Sequence, residues 1–394
     1  MLTVEEALSR LFALCPTIET ETVPLRSAAR RVLAADAVAR LTQPPFAASA
    51  MDGYAIRAAD HSSGARLAVI GEAAAGRAFA GAVGAGQAVR IFTGAPVPEG
   101  AERVVLQEDV TRAGDAITLG DRLESGRNIR PAGQDFRLGD RLAAPRRLSP
   151  ADLGLAAAMN VAELSVARRP VVALIATGDE LVMPGETPGP DQIVASNSFA
   201  LAAMAEAEGA EVRLLPIARD TEESLRYTLS LAADADMIVT IGGASVGDHD
   251  IVGKVAGDLG LERAFWRIAM RPGKPLMAGR LGGSVMIGLP GNPVSSIICG
   301  HLFMLPMIRA MQGLPARAVP RQRARLGQPV AANGPREHYM RARLRPGAGL
   351  PDILPFERQD SALLSILTEA NALLIRPIGD GPRAAGDEVD YIAI

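Results

Sequence analysis

The stretch that most constrains the fold is residues 236–250, Asp-Met-Ile-Val-Thr-Ile-Gly-Gly-Ala-Ser-Val-Gly-Asp-His-Asp. Met237 to Ile241 is a short, β-branched apolar run that stops at two glycines, the pattern of a fully buried strand. Gly242, Gly243 and Gly247 let a ligand approach the backbone closely. Ser245, Asp248 and Asp250 add polar and acidic groups to the same loop. Ligands of open α/β sheets bind just beyond the carboxyl ends of the strands, which makes this loop the first candidate site. An ordinary strand–turn–helix connection with two solvated aspartates fits the same residues, so the rest of the chain must decide.

From Arg168-Arg-Pro170 onward, apolar runs alternate with amphipathic stretches. Strands are expected over 171–176, 212–217, 237–241 and 284–289. Helices are expected over 198–208, over 221–233, and from 294 to Gly313. Strand, helix, strand, helix predicts a doubly wound, mostly parallel α/β domain with helices on both faces. Before it, Thr3-Val-Glu-Glu6 is a capping box that starts a helix through Phe12. A short helix is expected at 27–32, and short β-like runs at 67–70, 88–92, 103–110 and 116–119 make a β-rich region. Ser149-Pro150 starts another helix. After Pro315 the chain turns Arg-, Pro- and Gly-rich, which predicts a small C-terminal β domain.

Composition narrows the function classes. A net charge of −3 gives no electrostatic case for nucleic acid. Two cysteines, Cys15 and Cys299, make no disulfide framework and suit a reducing compartment. Glu5 and Glu6 stand where a signal peptide would be basic, so a cytoplasmic location is expected. Val294–Met311 is apolar but holds His301, Pro306 and Arg309, which favours a buried helix over a membrane span. The four histidines lack zinc spacing, and there is neither a Walker-type phosphate loop nor a nucleophile elbow. Nearly all basic residues are Arg; the only lysines are Lys254 and Lys274.

Three constellations carry chemistry. Glu180, Asp220 and Asp250 follow successive strands, where carboxylates suit Mg²⁺ bridging phosphates; helix capping, above all for Asp220, fits equally. Pro290-Gly-Asn-Pro-Val-Ser295 opens a helix with Asn292 as cap and Pro293 in its first turn. Its free N–H groups suit an oxyanion, and a plain strand–helix turn is the alternative. Arg271-Pro-Gly-Lys274-Pro275 fixes two cations between prolines.

Taken together and in order, these motifs resemble the molybdopterin molybdenumtransferases, the MoeA-type family that includes the gephyrin E domain. The resemblance rests on Pro44-Pro-Phe, Ser49-Ala-Met-Asp-Gly-Tyr-Ala55, Thr93-Gly-Ala-Pro96 and Thr177-Gly-Asp-Glu-Leu181. It continues through the 242–250 loop, Pro272-Gly-Lys-Pro275 and Leu289 to Ser295, and more thinly through Tyr339-Met-Arg341 and Ser361 to Leu374. It implies insertion of molybdate into adenylyl-molybdopterin with Mg²⁺-dependent release of AMP. It further implies a homodimer whose cleft lies between chains, with possible links to other molybdenum cofactor synthesis proteins. The domains expected are a linking domain (1–42 and 136–169), a β-rich inserted domain (43–135), the α/β domain (170–315) and a C-terminal β domain (316–394).

By the same resemblance, Asp52, Thr93, Asp135, Glu180, Asp220, Asp250 and Lys274 are catalytic, with Glu180, Asp220 and Asp250 toward the metal. Gly242, Gly243, Ser245, Gly247, Asp248, Gly291, Asn292, Pro293 and Ser295 would hold pterin and phosphates. Ser295 also serves molybdate, together with Arg271, Lys274, Arg341 and Ser361. Arg267 and Arg271 are substrate-binding residues that stand where many relatives have Lys. Two other readings stay open: the molybdopterin adenylyltransferase, which is usually the α/β domain alone, and a non-catalytic gephyrin-like scaffold.

Overall fold

The computed structural model describes residues 1–243, 251–347 and 349–394. Its centre is a six-stranded sheet. The strands are β1 (Val171–Ala176), β2 (Glu211–Leu214), β3 (Met237–Ile241), β4 (Glu262–Trp266), β5 (Met277–Leu281) and β6 (Ser284–Leu289), in the order β2-β1-β3-β6-β5-β4. The first four pair in parallel; β5 runs antiparallel to β6, and β4 antiparallel to β5. β1 and β3 are buried along their whole length, as expected of a sheet covered on both faces.

The two-residue period of a strand sorts the side chains between the faces. Val172, Leu174, Met237, Val239, Val285 and Ile287 enter one core; Ala173, Ile175, Ile238 and Met286 enter the other. Helices α3 (Asn197–Ala207), α6 (Pro293–Cys299) and α7 (Leu305–Met311) cover the first face, and α4 (Glu222–Ser230) and α5 (Ile251–Asp258) the second. The chain passes from β1 to β2 on one side and then to β3 on the other, so β1 and β3 flank the switch point of the sheet.

Several expectations change. The long helix after 293 is two α-segments joined by a widened π turn over Gly300–Met304. Pro306 has no N–H to give the Leu302 carbonyl, so the regular ladder cannot pass through it. The run is long and apolar enough to cross a membrane, yet 83% of its apolar window is buried inside the protein, as a core helix. No helix forms at 27–32: a 3₁₀ turn, Leu25–Ser27, leads to a short strand, Val32–Leu33. Helix α1 (Val4–Phe12), placed by sequence in the linking domain, instead buries Val4, Ala7, Leu8 and Leu11 in the α/β core. Its spacing makes a full apolar stripe, and Arg10 donates to the Ala264 carbonyl on β4 at 3.1 Å.

Residues 20–24, 32–33, 146–147 and 163–167 form a four-stranded sheet from both sides of the β-rich segment. That segment has its own six-stranded sheet, to which Gly53–Ile56 and Gln87–Ile91 contribute neighbouring strands. At the C-terminus, strands 337–345, 352–355, 322–326, 388–393 and 372–376 close on themselves into a barrel. Met270–Arg271 adds to it in register with Glu337 and His338, tying the cationic loop to the barrel.

Candidate active site

A cleft of about 1110 Å³ opens at the switch point, at the ends of β1, β3 and β6. Its floor is backbone. Thr177 N–H donates to the Ile241 carbonyl at 3.0 Å and Gly242 N–H to the Leu289 carbonyl at 3.0 Å, so the three strand ends share one edge. Gly242 and Gly243 have φ of 92° and 63°, a left-handed conformation that costs any other residue strain. A Cβ on Gly242 would stand 2.9 Å from the Thr177 carbonyl oxygen, and one on Gly243 2.5 Å from Val252 Cγ2. The glycines thus permit a close backbone approach. Ser245, Gly247, Asp248 and Asp250 lie outside the described residues.

Glu180 and Asp220 line this cleft together. Arg219 holds their two turns against each other. Its guanidinium donates to the carbonyls of Gly178, Asp179 and Leu181 at 3.3, 3.1 and 2.9 Å. Asp220 is not the helix cap that its position also allowed. Thr221 caps α4, its hydroxyl accepting from Ser224 N–H at 3.2 Å, which leaves the Asp220 carboxylate to the cleft. Among the described residues no three metal-ligating side chains cluster.

The 290–293 turn forms another wall. Gly291, Asn292 and Pro293 line the cleft, and Asn197 Nδ2 donates to the Gly291 carbonyl at 2.7 Å. Asn292 occupies the cap position without a side-chain capping bond. The Val294 N–H of α6 is already taken by the Ser361 carbonyl at 3.0 Å. Ser295 is 4% exposed and absent from the described lining.

Arg341 also lies outside the described cleft lining. It is 1% exposed, and its guanidinium donates to the carbonyls of Arg358, Asp360 and Leu363 at 3.1, 2.9 and 2.8 Å. Rather than facing an anion, it clamps the loop that carries Ser361 and brings Ala362 to the cleft wall.

Arg267, Arg271 and Lys274 share the loop between β4 and β5, and Pro275 of that loop reaches the cleft lining. Ile268 N–H donates to the Lys274 carbonyl at 3.2 Å, folding the loop back on itself. Arg267 adopts φ of 71°, and its guanidinium lies 4.4 Å from the centre of the Trp266 ring. A planar guanidinium stacks there as an ammonium cannot, which rationalises Arg at this position.

The remaining predicted residues stand apart. Asp52 Oδ1 accepts from the Thr93 N–H at 2.8 Å and from the Thr93 hydroxyl at 2.7 Å. The main-chain bond above all, then the hydroxyl, holds the Asp52 carboxyl below its ordinary range. Asp135 is exposed, its N–H bonded to the Gln43 carbonyl at 3.1 Å. None of the three lines the cleft with Glu180 and Asp220 within one chain. Sequence reasoning missed Arg219, Asn197, Glu222 and Lys254 as site residues; of these only Lys254 carried a signal, as one of two lysines.

Three family models match in order: the MoeA N-terminal region over residues 2–160, a probable molybdopterin binding domain over 173–310, and the MoeA C-terminal region over 323–394. A molybdopterin molybdenumtransferase of Nostoc sp. is 34% identical across 99% of this chain and 93% of its own. The chain belongs to the MoeA family of molybdopterin molybdenumtransferases. A second MoeA-family relative, molybdopterin molybdenumtransferase 2 of Mycobacterium tuberculosis, is 38% identical over 93% of each chain. Among solved MoeA structures, the molybdopterin biosynthesis moeA protein of Pyrococcus horikoshii OT3 superposes with a TM-score of 0.85 at 28% identity, covering 100% of both chains.

Proposed function

We propose that this chain inserts molybdate into adenylyl-molybdopterin and releases AMP, giving the molybdenum cofactor. The observation that carries the reading is the cleft itself, where Glu180 and Asp220 line the switch point of the sheet beside the glycine turn, in a chain that matches all three MoeA-family regions. Gly242, Gly243 and Gly291 leave space for pterin and phosphates against backbone. Arg271 and Lys274, on the loop whose Pro275 reaches the lining, would offer cations to molybdate, a tetrahedral dianion that calls for charge-assisted donors.

Mg²⁺ fits the donor set, because this ion takes one or two carboxylates and completes its shell with water and substrate phosphates. Glu180 and Asp220 would hold it, and the ion would neutralise the charge that develops on the phosphate being displaced. Asp52, fixed by Thr93, enters the reading as a polar group supplied by a second copy in a homodimer. A cytoplasmic setting, with hand-over to another molybdenum cofactor synthesis protein, completes the proposal.

The test mixes the purified protein, adenylyl-molybdopterin, Mg²⁺ and molybdate, and follows AMP release and reconstitution of a molybdenum-dependent apo-enzyme. Molybdate-dependent AMP release that Asp220→Asn abolishes is the expected result. Tight adenylate binding without turnover would overturn it in favour of a scaffold. Conversion of molybdopterin and ATP into the adenylate would make the chain an adenylyltransferase.

A further inference from the structure

Lys254 and Glu222 face each other across the mouth of the cleft. Lys254 lies on α5 and Glu222 in the first turn of α4; both line the cleft, and the ammonium is bonded to the Glu222 carboxylate. Among the described lining residues, the ionisable groups are Glu180, Asp220, Glu222 and Lys254, so Lys254 is the one cation of the described lining. A diphosphate bound in this cleft would meet, among the described lining residues, three carboxylates and this single ammonium.

The Lys254–Glu222 pair is not what docks α5 on α4. Val252, Val255 and Ala256 of α5 pack with Leu225 and Leu229 of α4 in the second core. One turn further along, Arg226 and Asp258 make another ion pair at 2.8 Å with the charges exchanged between the helices. The Lys254 side chain is 63% exposed and that of Glu222 45%, so their mutual attraction is weak and easily exchanged. The chain uses Arg almost everywhere else, yet keeps Lys here. An arginine fork would lock onto Glu222 through two parallel bonds, whereas an ammonium on a flexible stem swings between partners.

We propose that Lys254 is a substrate-contacting residue that leaves Glu222 to bind the diphosphate of the incoming nucleotide-linked substrate, Glu222 holding the ammonium at the mouth until then. This inference rests on the functional reading above, and two measurements separate the two. In the first, AMP release is followed in the full-length protein with Lys254→Met, which keeps the apolar stem, and with Lys254→Arg. The expected outcome for Lys254→Met is a KM for the adenylate raised about 10- to 150-fold, the usual worth of one charge-assisted hydrogen bond, with kcat within about twofold. Lys254→Arg, whose fork stays locked on Glu222, should keep the ion pair and yet leave KM raised by more than about threefold, whereas a merely structural role for Lys254 would let Arg restore wild-type KM.

The second measurement is calorimetric binding of inorganic pyrophosphate, which needs no turnover. Lys254→Met should weaken it by a similar factor, and the wild-type affinity should fall more steeply with salt than that of the variant. Unchanged KM and unchanged pyrophosphate affinity in Lys254→Met overturn the inference while leaving the enzyme reading intact. Lys254-dependent pyrophosphate binding in a wild-type protein that releases no AMP overturns the enzyme reading and leaves Lys254 in place.

Discussion

Replacing Arg341 by Met keeps the buried stem and removes the guanidinium. Three main-chain carbonyls, of Arg358, Asp360 and Leu363, then lose their donor. Gln359 stays bonded to the Arg341 main chain, donating to its carbonyl at 3.0 Å and accepting from its N–H at 3.0 Å, so the loop does not detach completely. A buried polar group left unpaired costs about 1–3 kcal/mol, and the partly exposed part of this loop recovers water, so the sum is about 3–5 kcal/mol. The barrel shares its core with the α/β domain, and for a unit of that size each kcal/mol lowers the melting temperature by about 2–4 °C, which puts the unfolding transition of Arg341→Met at least about 6 °C below wild type. A second effect reaches the cleft: the same loop supplies the Ser361 carbonyl to Val294 N–H and Ala362 to the wall. At a temperature where the variant is folded, its KM for the adenylate should rise with little change in kcat. Circular dichroism melts beside AMP-release kinetics read both effects. A variant that melts within about 2 °C of wild type and keeps its KM would refute the clamp.

Gly243→Ala should lower stability by about 1–2 kcal/mol through its left-handed backbone and raise KM for the adenylate, since the new Cβ falls 2.5 Å from Val252 Cγ2; urea unfolding and AMP release measure the two. His301 and His338 are both pushed down to about 4, first by burial and then by neighbouring guanidinium groups, Arg309 for the one and Arg271 for the other. Between pH 6.5 and about 4 the unfolded chain binds protons that the folded one refuses, so stability falls as pH falls through that window, by about 3 kcal/mol for each histidine. Urea midpoints measured from pH 7 to pH 4.5 should drop, and less steeply in His338→Gln.

What the sequence made legible follows from periodicity and from special backbone. β1, β3 and β6 are mainly apolar and buried at every position because both faces are covered, and their glycine-terminated ends locate the cleft without any tertiary knowledge. Glu180 and Asp220 were legible as strand-end residues, but the choice between capping and cleft for Asp220 depended on one neighbour, Thr221, able to cap in its place. The partners of Arg341 were not legible: its residue type and motif suggest an anion, whereas the fold gives it carbonyls about twenty residues away that no local pattern connects. What α1 packs against was not legible for a similar reason. An amphipathic stripe says that a helix is buried on one face, not against what, and here its partner is the edge of a sheet some 250 residues later.

The way the domains are joined bears on how such a site assembles. The C-terminal barrel is fastened to the α/β domain at two places beside the cleft: through the pairing of Arg271 with His338, and through the bond from Val294 to Ser361. The core containing the sheet also continues into Tyr339, Leu373 and Ile375 of the barrel. The cationic loop, the 290–293 turn and the loop around Ser361 therefore move as one body, which suits groups that must hold a small rigid anion within hydrogen-bonding distance. Asp52 and Thr93 are fixed just as firmly to each other, but by the β-rich sheet alone. In the proposed reaction they reach the cleft only from a second chain. Mixing Asp52→Ala with Asp220→Asn protomers should then restore one intact cleft in each mixed dimer and recover part of the AMP release that either variant lacks alone. If the mixture stays as inactive as its components, Asp52 does not serve a neighbour's cleft and its bond to Thr93 is structural.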